Sequence, residues 1–203
     1  MTHFRRRKRP PLAWRARKAH VGELVQLDGS HHDWFEERGP RCVLMAYIDD
    51  ASSLVFARFY DYEEDSFQRY IRQYGVPLAL YADKHTTYGS PAEATVEEEL
   101  AGTKPKSQFG QAVGVLGVEL IAAHSPQAKG RVERLFQTFQ DRVRKEMRLA
   151  KVATIEAANQ FLAAYLPRYN QQFAVLPSRA VDLHRPTATD RTLEASLCIK
   201  TRR

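Results

Sequence analysis

Hydrophobic and polar residues change period several times along the chain, and each change marks an element. Glu23–Asp28, "ELVQLD", alternates and runs into Gly29, which predicts a strand stopping at a turn. Arg41–Asp49 is almost wholly apolar, the pattern of a central buried strand. Leu54–Tyr60 is rich in β-forming residues and close enough to pair with it as a hairpin. Over Asp61–Tyr74 the period becomes helical, with Phe67, Tyr70, Ile71 and Tyr74 on one face and Gly75 and Pro77 as the stop. Leu78–Asp83 reads as a short strand, Gln108–Leu116 as a short helix and Val118–Ala123 as a further strand.

Two long helices follow. Ser125 caps the first and Pro126 takes its first position, where a missing N–H costs nothing. Val132, Leu135, Phe136, Phe139, Val143 and Met147 form its apolar stripe, which carries the helix to about Leu149. Thr154 caps the second, with Ile155, Ala158, Phe161, Leu162, Tyr165 and Leu166 facing inward. Residues 84–107 show little periodicity and read as a long loop or insertion. Beyond Pro177 the pattern weakens, and the closing "SLCIKTRR" reads as a strand begun and cut off. A three-stranded meander followed by alternating helices and strands predicts an α/β fold, a mixed sheet with helices on its faces.

Composition narrows the class. At 203 residues, 43% hydrophobic and 27% charged, the chain suits one substantial core with appendages. It has no apolar run near the roughly 20 residues of a membrane span, and no apolar segment behind its arginines to make a secretory signal. Cys42 and Cys198 match no metal spacing, so a reduced, cytoplasmic protein is expected. The net charge of +7 is unevenly placed. Residues 1–20 hold Arg5, Arg6, Arg7, Lys8, Arg9, Arg15, Arg17 and Lys18 without an acid, and the remainder is nearly neutral. With Pro10 and Pro11 inside it, that arm reads as an extended phosphate-neutralising segment; a solvated tail is the plainer alternative. A second basic concentration, from Ile121 to Lys151, has eight Lys/Arg against three acids.

Candidate chemistry lies in three acids. Asp28 and Asp83 close the first and fourth strands, and both project from one sheet edge if those strands are neighbours. Glu133 lies two turns into the helix after the fifth strand, at the border of its apolar stripe. Three carboxylates brought together repel unless a hard divalent cation joins them; Mg²⁺, with Mn²⁺ as substitute, fits. Lys129, Arg131 and Arg134 around Glu133 would then hold a phosphate backbone. On spacing alone, solvated acids at strand ends remain the more economical reading.

Motif wording changes that balance. "QLDGS" at Gln26–Ser30, "YADKHTTY" at Tyr81–Tyr88 and "AHSPQAKGRVERLF" at Ala123–Phe136 closely resemble the three acidic motifs of DDE-type transposases, in the right order. These belong to the retroviral integrase superfamily, and the likeness is strongest to the bacterial insertion-sequence group called ISNCY. Extending over roughly Gly22 to Tyr169, the resemblance implies an RNase H-like, five-stranded mixed sheet with helices on both sides. It implies Asp28, Asp83 and Glu133 as catalytic, metal-binding acids, and DNA contact at Lys129 and Arg131. It further implies DNA cleavage and strand transfer on transposon ends and target, a homodimer or higher oligomer, and a place at the bacterial nucleoid. Two departures stand out. Between Asp83 and Glu133 lie 49 residues, against about 35 in many members, and 90–106 reads as the insertion responsible. The chain also reads as a core fragment: a basic arm over 1–20, a catalytic core over 21–175, and a truncated extension over 176–203. A plain nuclease of the same fold and a non-catalytic DNA-binding or regulatory fragment are the alternatives.

Other residues draw plainer readings. Asp49 could approach the site, but with Asp50 it better suits a turn or cap; His31, His32 and Asp33 suit a turn beside the site, since adjacent histidines rarely chelate one ion. His85 and His124 suit loop orientation or phosphate contact. Trp34 and Phe35 fit a core or a DNA-stacking role. Gln137, Gln140 and Arg144 continue the Glu133 face, either tracking DNA or solvated.

Overall fold

The computed structural model describes residues 16–61, 66–82, 107–122 and 126–186, the side chains of 108 and 126–129 excepted. Its strands are β1 (Val25–Ser30), β2 (Val43–Asp49), β3 (Val55–Tyr60), β4 (Ala79–Ala82) and β5 (Glu119–Ala122). Its helices are α1 (Ser66–Tyr74), α2 (Gln108–Val115), α3 (Pro126–Leu149) and α4 (Ile155–Phe173). One five-stranded sheet runs in the order β3-β2-β1-β4-β5. The β1–β2 and β2–β3 pairs are antiparallel, and the β1–β4 and β4–β5 pairs parallel. The first and fourth strands, whose adjacency was the condition for Asp28 and Asp83 to share a sheet edge, are bonded side by side.

Alternation along the strands fills two cores. Val25, Leu27, Val43, Met45 and Tyr47 pack with Phe67, Tyr70 and Ile71 of α1 and Val113 of α2. Leu44, Ala46, Ile48, Val55, Ala57 and Phe59 pack on the other side with the apolar stripes of α3 and α4. β2 is buried along its whole length, as its unbroken apolar run predicts. The first strand differs from expectation. Asp28 does not close it: β1 continues to Ser30, with Asp28 opposite Ala46 and Gly29 opposite Met45. Gly29 looks like a turn signal in sequence, but the long β2 partner keeps it in the ladder.

The outer edge of β3 is closed by side chains. Asn159 Oδ1 accepts from Phe59 N (2.8 Å) while its Nδ2 donates to Phe59 O (3.0 Å). Asn170 treats Val55 in the same way, at 2.9 Å for both bonds. Eleven residues make three helical turns, so both amides leave α4 on the side facing β3 and stand in for a sixth strand. Edge N–H and C=O groups are thus paired instead of being offered to another chain.

Past Pro177, where the hydrophobic pattern fades, the chain returns beneath the sheet. Arg179 N donates to Ala19 O, Leu183 N to Val21 O, and Arg185 exchanges both backbone bonds with Val76. The Arg185 guanidinium reaches Leu116 O (2.8 Å) and Gly117 O (3.0 Å), and His184 Nε2 meets the Tyr70 hydroxyl at 2.8 Å. Gly22 and Gly75, both at positive φ, admit this strap closely: a Cβ at Gly22 would lie 2.7 Å from His184 N, and one at Gly75 2.6 Å from Arg185 O. The arm with Arg5, Arg6, Arg7, Lys8 and Arg9, the 90–106 insertion and the closing "SLCIKTRR" lie outside the described residues.

Removing either clamp leaves an N–H and a C=O of β3 unpaired beneath α4. Asn159→Ala and Asn170→Ala are each expected to lower stability by about 1–3 kcal/mol in urea unfolding. The two sites on β3 lie about 13 Å apart, so their effects should add.

Candidate active site

Gln26, Asp28 and Ser30 alternate onto the face of β1 opposite Val25 and Leu27. Asp28 pairs with Ala46, which belongs to the core under α3 and α4, so its side chain lies on that side of the sheet. It is half-buried, and its Oδ1 accepts from Gly29 N at 3.0 Å.

α3 packs over this face through Val132, Leu135, Phe136, Phe139, Val143 and Met147, leaving Glu133 exposed on its polar flank. Two polar ties fix how the helix lies along the strand. At one end, Arg131 NH1 pairs with Asp50 Oδ1, which also accepts from Gln26 Nε2 (2.9 Å). Lys18 N donates to Asp50 Oδ2 at 2.8 Å. The Asp50 side chain is 0% exposed and that of Arg131 19%, so the carboxylate is removed from water and needs this cation. At the other end, Gln140 Nε2 donates to Ser30 Oγ at 3.2 Å. The ties bracket Asp28 on the strand and Glu133 on the helix. Nine helical residues from 131 to 140 span about 13.5 Å, and four strand residues from 26 to 30 span about 13 Å. Helix and strand therefore keep pace, with Asp28 midway along the strand interval and Glu133 inside the helical one.

Asp49 and Asp50 both read as turn residues in the sequence; the Asp49 side chain serves the turn, while that of Asp50 turns to Gln26, Lys18 and Arg131. Asp49 Oδ1 accepts from Ser52 N (2.7 Å) and Ser52 Oγ (2.6 Å), and its Oδ2 from Gly22 N (2.9 Å). The Arg131 partnership of Asp50 was missed; the available signal was a second acid directly after an unbroken apolar strand. Trp34 and Phe35 are both fully buried in the core, which removes the stacking alternative. Of the other candidates, Arg134 is exposed on α3, Lys129 is described only in its backbone, and Asp83, His85 and His124 lie outside the described residues. Among the described residues no three Asp, Glu, His or Cys come together as a metal cage, and no helix is long and apolar enough to cross a membrane. Asp28 and Glu133 supply only oxygen donors, which suit a hard divalent cation rather than zinc. Burial, with Asp61 and Asp33 adding, pushes the Cys42 thiol up to about 12, so it is no thiolate nucleophile at neutral pH.

Comparison with known proteins agrees with this architecture. A family model described as "Integrase core domain" matches residues 116–173, the stretch carrying β5, α3 and α4. A chain of the simian T-cell lymphotropic virus intasome superposes with a TM-score of 0.58 at 19% identity, covering 90% of this chain and 63% of that one. The HTLV-2 integrase catalytic core domain, solved in complex with magnesium, gives 0.51 at 16% identity, covering 79% and 93%. The fold is that of the RNase H-like integrase cores. Putative transposase y4bF of Sinorhizobium fredii is 41% identical over 197 residues, 93% of this chain and 42% of that protein. The transposase for insertion sequence IS1202 of Streptococcus pneumoniae is 36% identical over 188 residues, 88% and 39% respectively. Over most of its length the chain is thus similar to bacterial insertion-sequence transposases, and over residues 116–173 to integrase core domains. It spans about two-fifths of the length of the curated relatives it matches.

The ion pair under α3 gives a direct test. Arg131→Met leaves the Asp50 carboxylate buried without its cation and is expected to lower stability by about 3 kcal/mol in urea unfolding. Lys145→Met removes only an exposed pair with Asp141. It is expected to change stability by less than about 1 kcal/mol.

Proposed function

We propose that this chain is the catalytic core of a transposase that cleaves DNA at transposon ends and joins them to a target. Asp28, Asp83 and Glu133 are its acids and Mg²⁺ its ion, with Mn²⁺ as substitute. What supports the reading is the pair of ties holding α3 along β1, with Glu133 between them on the helix and Asp28 between them on the strand. The parallel register adds support for the third acid. Gln26 pairs with Tyr81, and Asp28 and Asp83 each come two residues later in the sequence, Asp83 directly after the last residue of β4.

In this reading the reaction is two in-line displacements at phosphorus without a covalent protein intermediate. Water first attacks the phosphodiester at the transposon end, and the broken P–O bond releases a 3′-hydroxyl. That hydroxyl then attacks a target phosphodiester, forming a new P–O bond as the target's own 3′-hydroxyl leaves. When bound, divalent cations supply Lewis-acid stabilisation of the phosphoryl oxygens and ease deprotonation of the attacking group. The carboxylates of Asp28, Asp83 and Glu133 hold the charge that such cations neutralise. Lys129, Arg131 and Arg134 flank the acid on α3 and hold the backbone, with Arg131 also positioning the helix through Asp50. The arm residues Arg5, Arg6, Arg7, Lys8 and Arg9 add sequence-independent, salt-sensitive affinity. The DNA partner, a homodimer or larger assembly, and a cytoplasmic place at the nucleoid belong to the same proposal.

Asp28→Asn, Asp83→Asn and Glu133→Gln are each expected to lower Mg²⁺-dependent cleavage and joining of end-sequence DNA by more than about a thousandfold. Folding and DNA affinity should stay close to wild type. Cleavage without joining would indicate a nuclease of this fold. DNA binding without either reaction would indicate a regulatory fragment, and full activity in a variant would remove that acid from the site.

A further inference from the structure

Three arginines gather on one carboxylate at the far end of α3. Glu36 Oε1 lies 3.1 Å from Arg148 NH1 and 3.6 Å from Arg144 Nε, and its Oε2 lies 3.4 Å from Arg38 NH2. Arg144 NH1 also meets His32 Nε2 at 3.3 Å. An arginine has no acceptor, so in this contact the guanidinium donates and the ring nitrogen accepts. Three guanidinium groups against one carboxylate leave two positive charges in excess. The Nε–H groups of Arg38 and Arg144 are buried without a hydrogen-bond acceptor among the described residues. With one acid among three bases, the cluster carries positive charge that an anionic ligand could meet.

The backbone that presents Glu36 is strained and firmly held. Glu36 and Glu37 both adopt positive φ, 50° and 66°, a conformation unfavourable for residues other than glycine. Fully buried Trp34 and Phe35 anchor the approach, and Arg38 NH1 donates to Val152 O at 2.9 Å beyond it. Such strain holds the carboxylate where it can orient guanidinium planes while their outer edges face solvent. Side-chain exposure grades outward, from 28% at Arg38 through 32% at Arg144 to 54% at Arg148.

We propose that Arg38, Arg144 and Arg148, ordered by Glu36, form a second phosphate-binding station for DNA, outside the acid site. Arg144 lies eleven residues from Glu133 on the same helical face, about 16 Å along the axis and within the footprint of a bound duplex. Paired guanidinium forks match phosphate oxygens. Gln137 and Gln140 lie between the two points on that face. The inference rests on the function proposed above, because it takes the same DNA as ligand.

The test is fluorescence anisotropy with a labelled duplex of about 25 base pairs, in chelator and without catalysis, across a salt series. Arg148→Gln removes the outermost arginine; Arg142→Gln removes an equal charge from α3 beside Phe173, off the cluster. Arg148→Gln is expected to reduce the magnitude of the log K against log[salt] slope by about 1, with Arg142→Gln unchanged. An unchanged slope in Arg148→Gln, or equal losses in both variants, overturns the station while leaving the proposed function intact. Failure of the wild type to bind the duplex overturns both. Wild-type binding with the expected slope change, but no strand cleavage in Mg²⁺, supports the station and counts against the catalytic reading alone.

Discussion

Asp50 is a carboxylate with no access to water, and Arg131 is the cation that makes its burial tolerable. The pair joins the turn after β2 to the first turns of α3, two elements 81 residues apart in sequence. Apolar packing alone would let α3 slide or roll over the sheet, because the hydrophobic effect has no direction. A buried ion pair has a strict geometry. With Gln140 on Ser30 as the second fixed point, it sets the register of the helix against β1. A polar side chain between those points is then held in one relation to the strand below it.

The remainder of the fold keeps that frame stiff. Asn159 and Asn170 bind α4 to the outer edge of β3, and the strap over 178–186 ties the starts of β1, β4 and β5 together through His184 and Arg185. These devices lie away from the candidate acids.

Much of the architecture was legible because burial imposes a period. β2 and the stripe of α3 stand out in sequence, and the five-stranded mixed sheet follows once the motif wording points to an integrase-like core. What escaped notice depends on polar contacts at long range. Asn159 and Asn170 look like a solvated flank until their three-turn spacing is set against β3. The strap is held by backbone bridges and close glycine contacts, neither of which has a hydrophobic period. Gly29 reads as a turn because local propensity cannot see the partner strand that overrides it. The same blindness hid Asp50, whose cation comes from a distant helix. Of the candidate site, Asp28 and Glu133 fall on described elements, and Asp83 lies outside the described residues, so the triad remains a proposal built on motif and register.

Divalent-ion binding reaches that triad most directly. Calorimetric titration of Mn²⁺ into the wild type and Glu133→Gln, both verified as folded, separates a metal-holding carboxylate from a solvated one. Heat of binding in the wild type that disappears in the variant is the expected result. Identical traces would leave Glu133 outside any metal site and contradict the proposed chemistry.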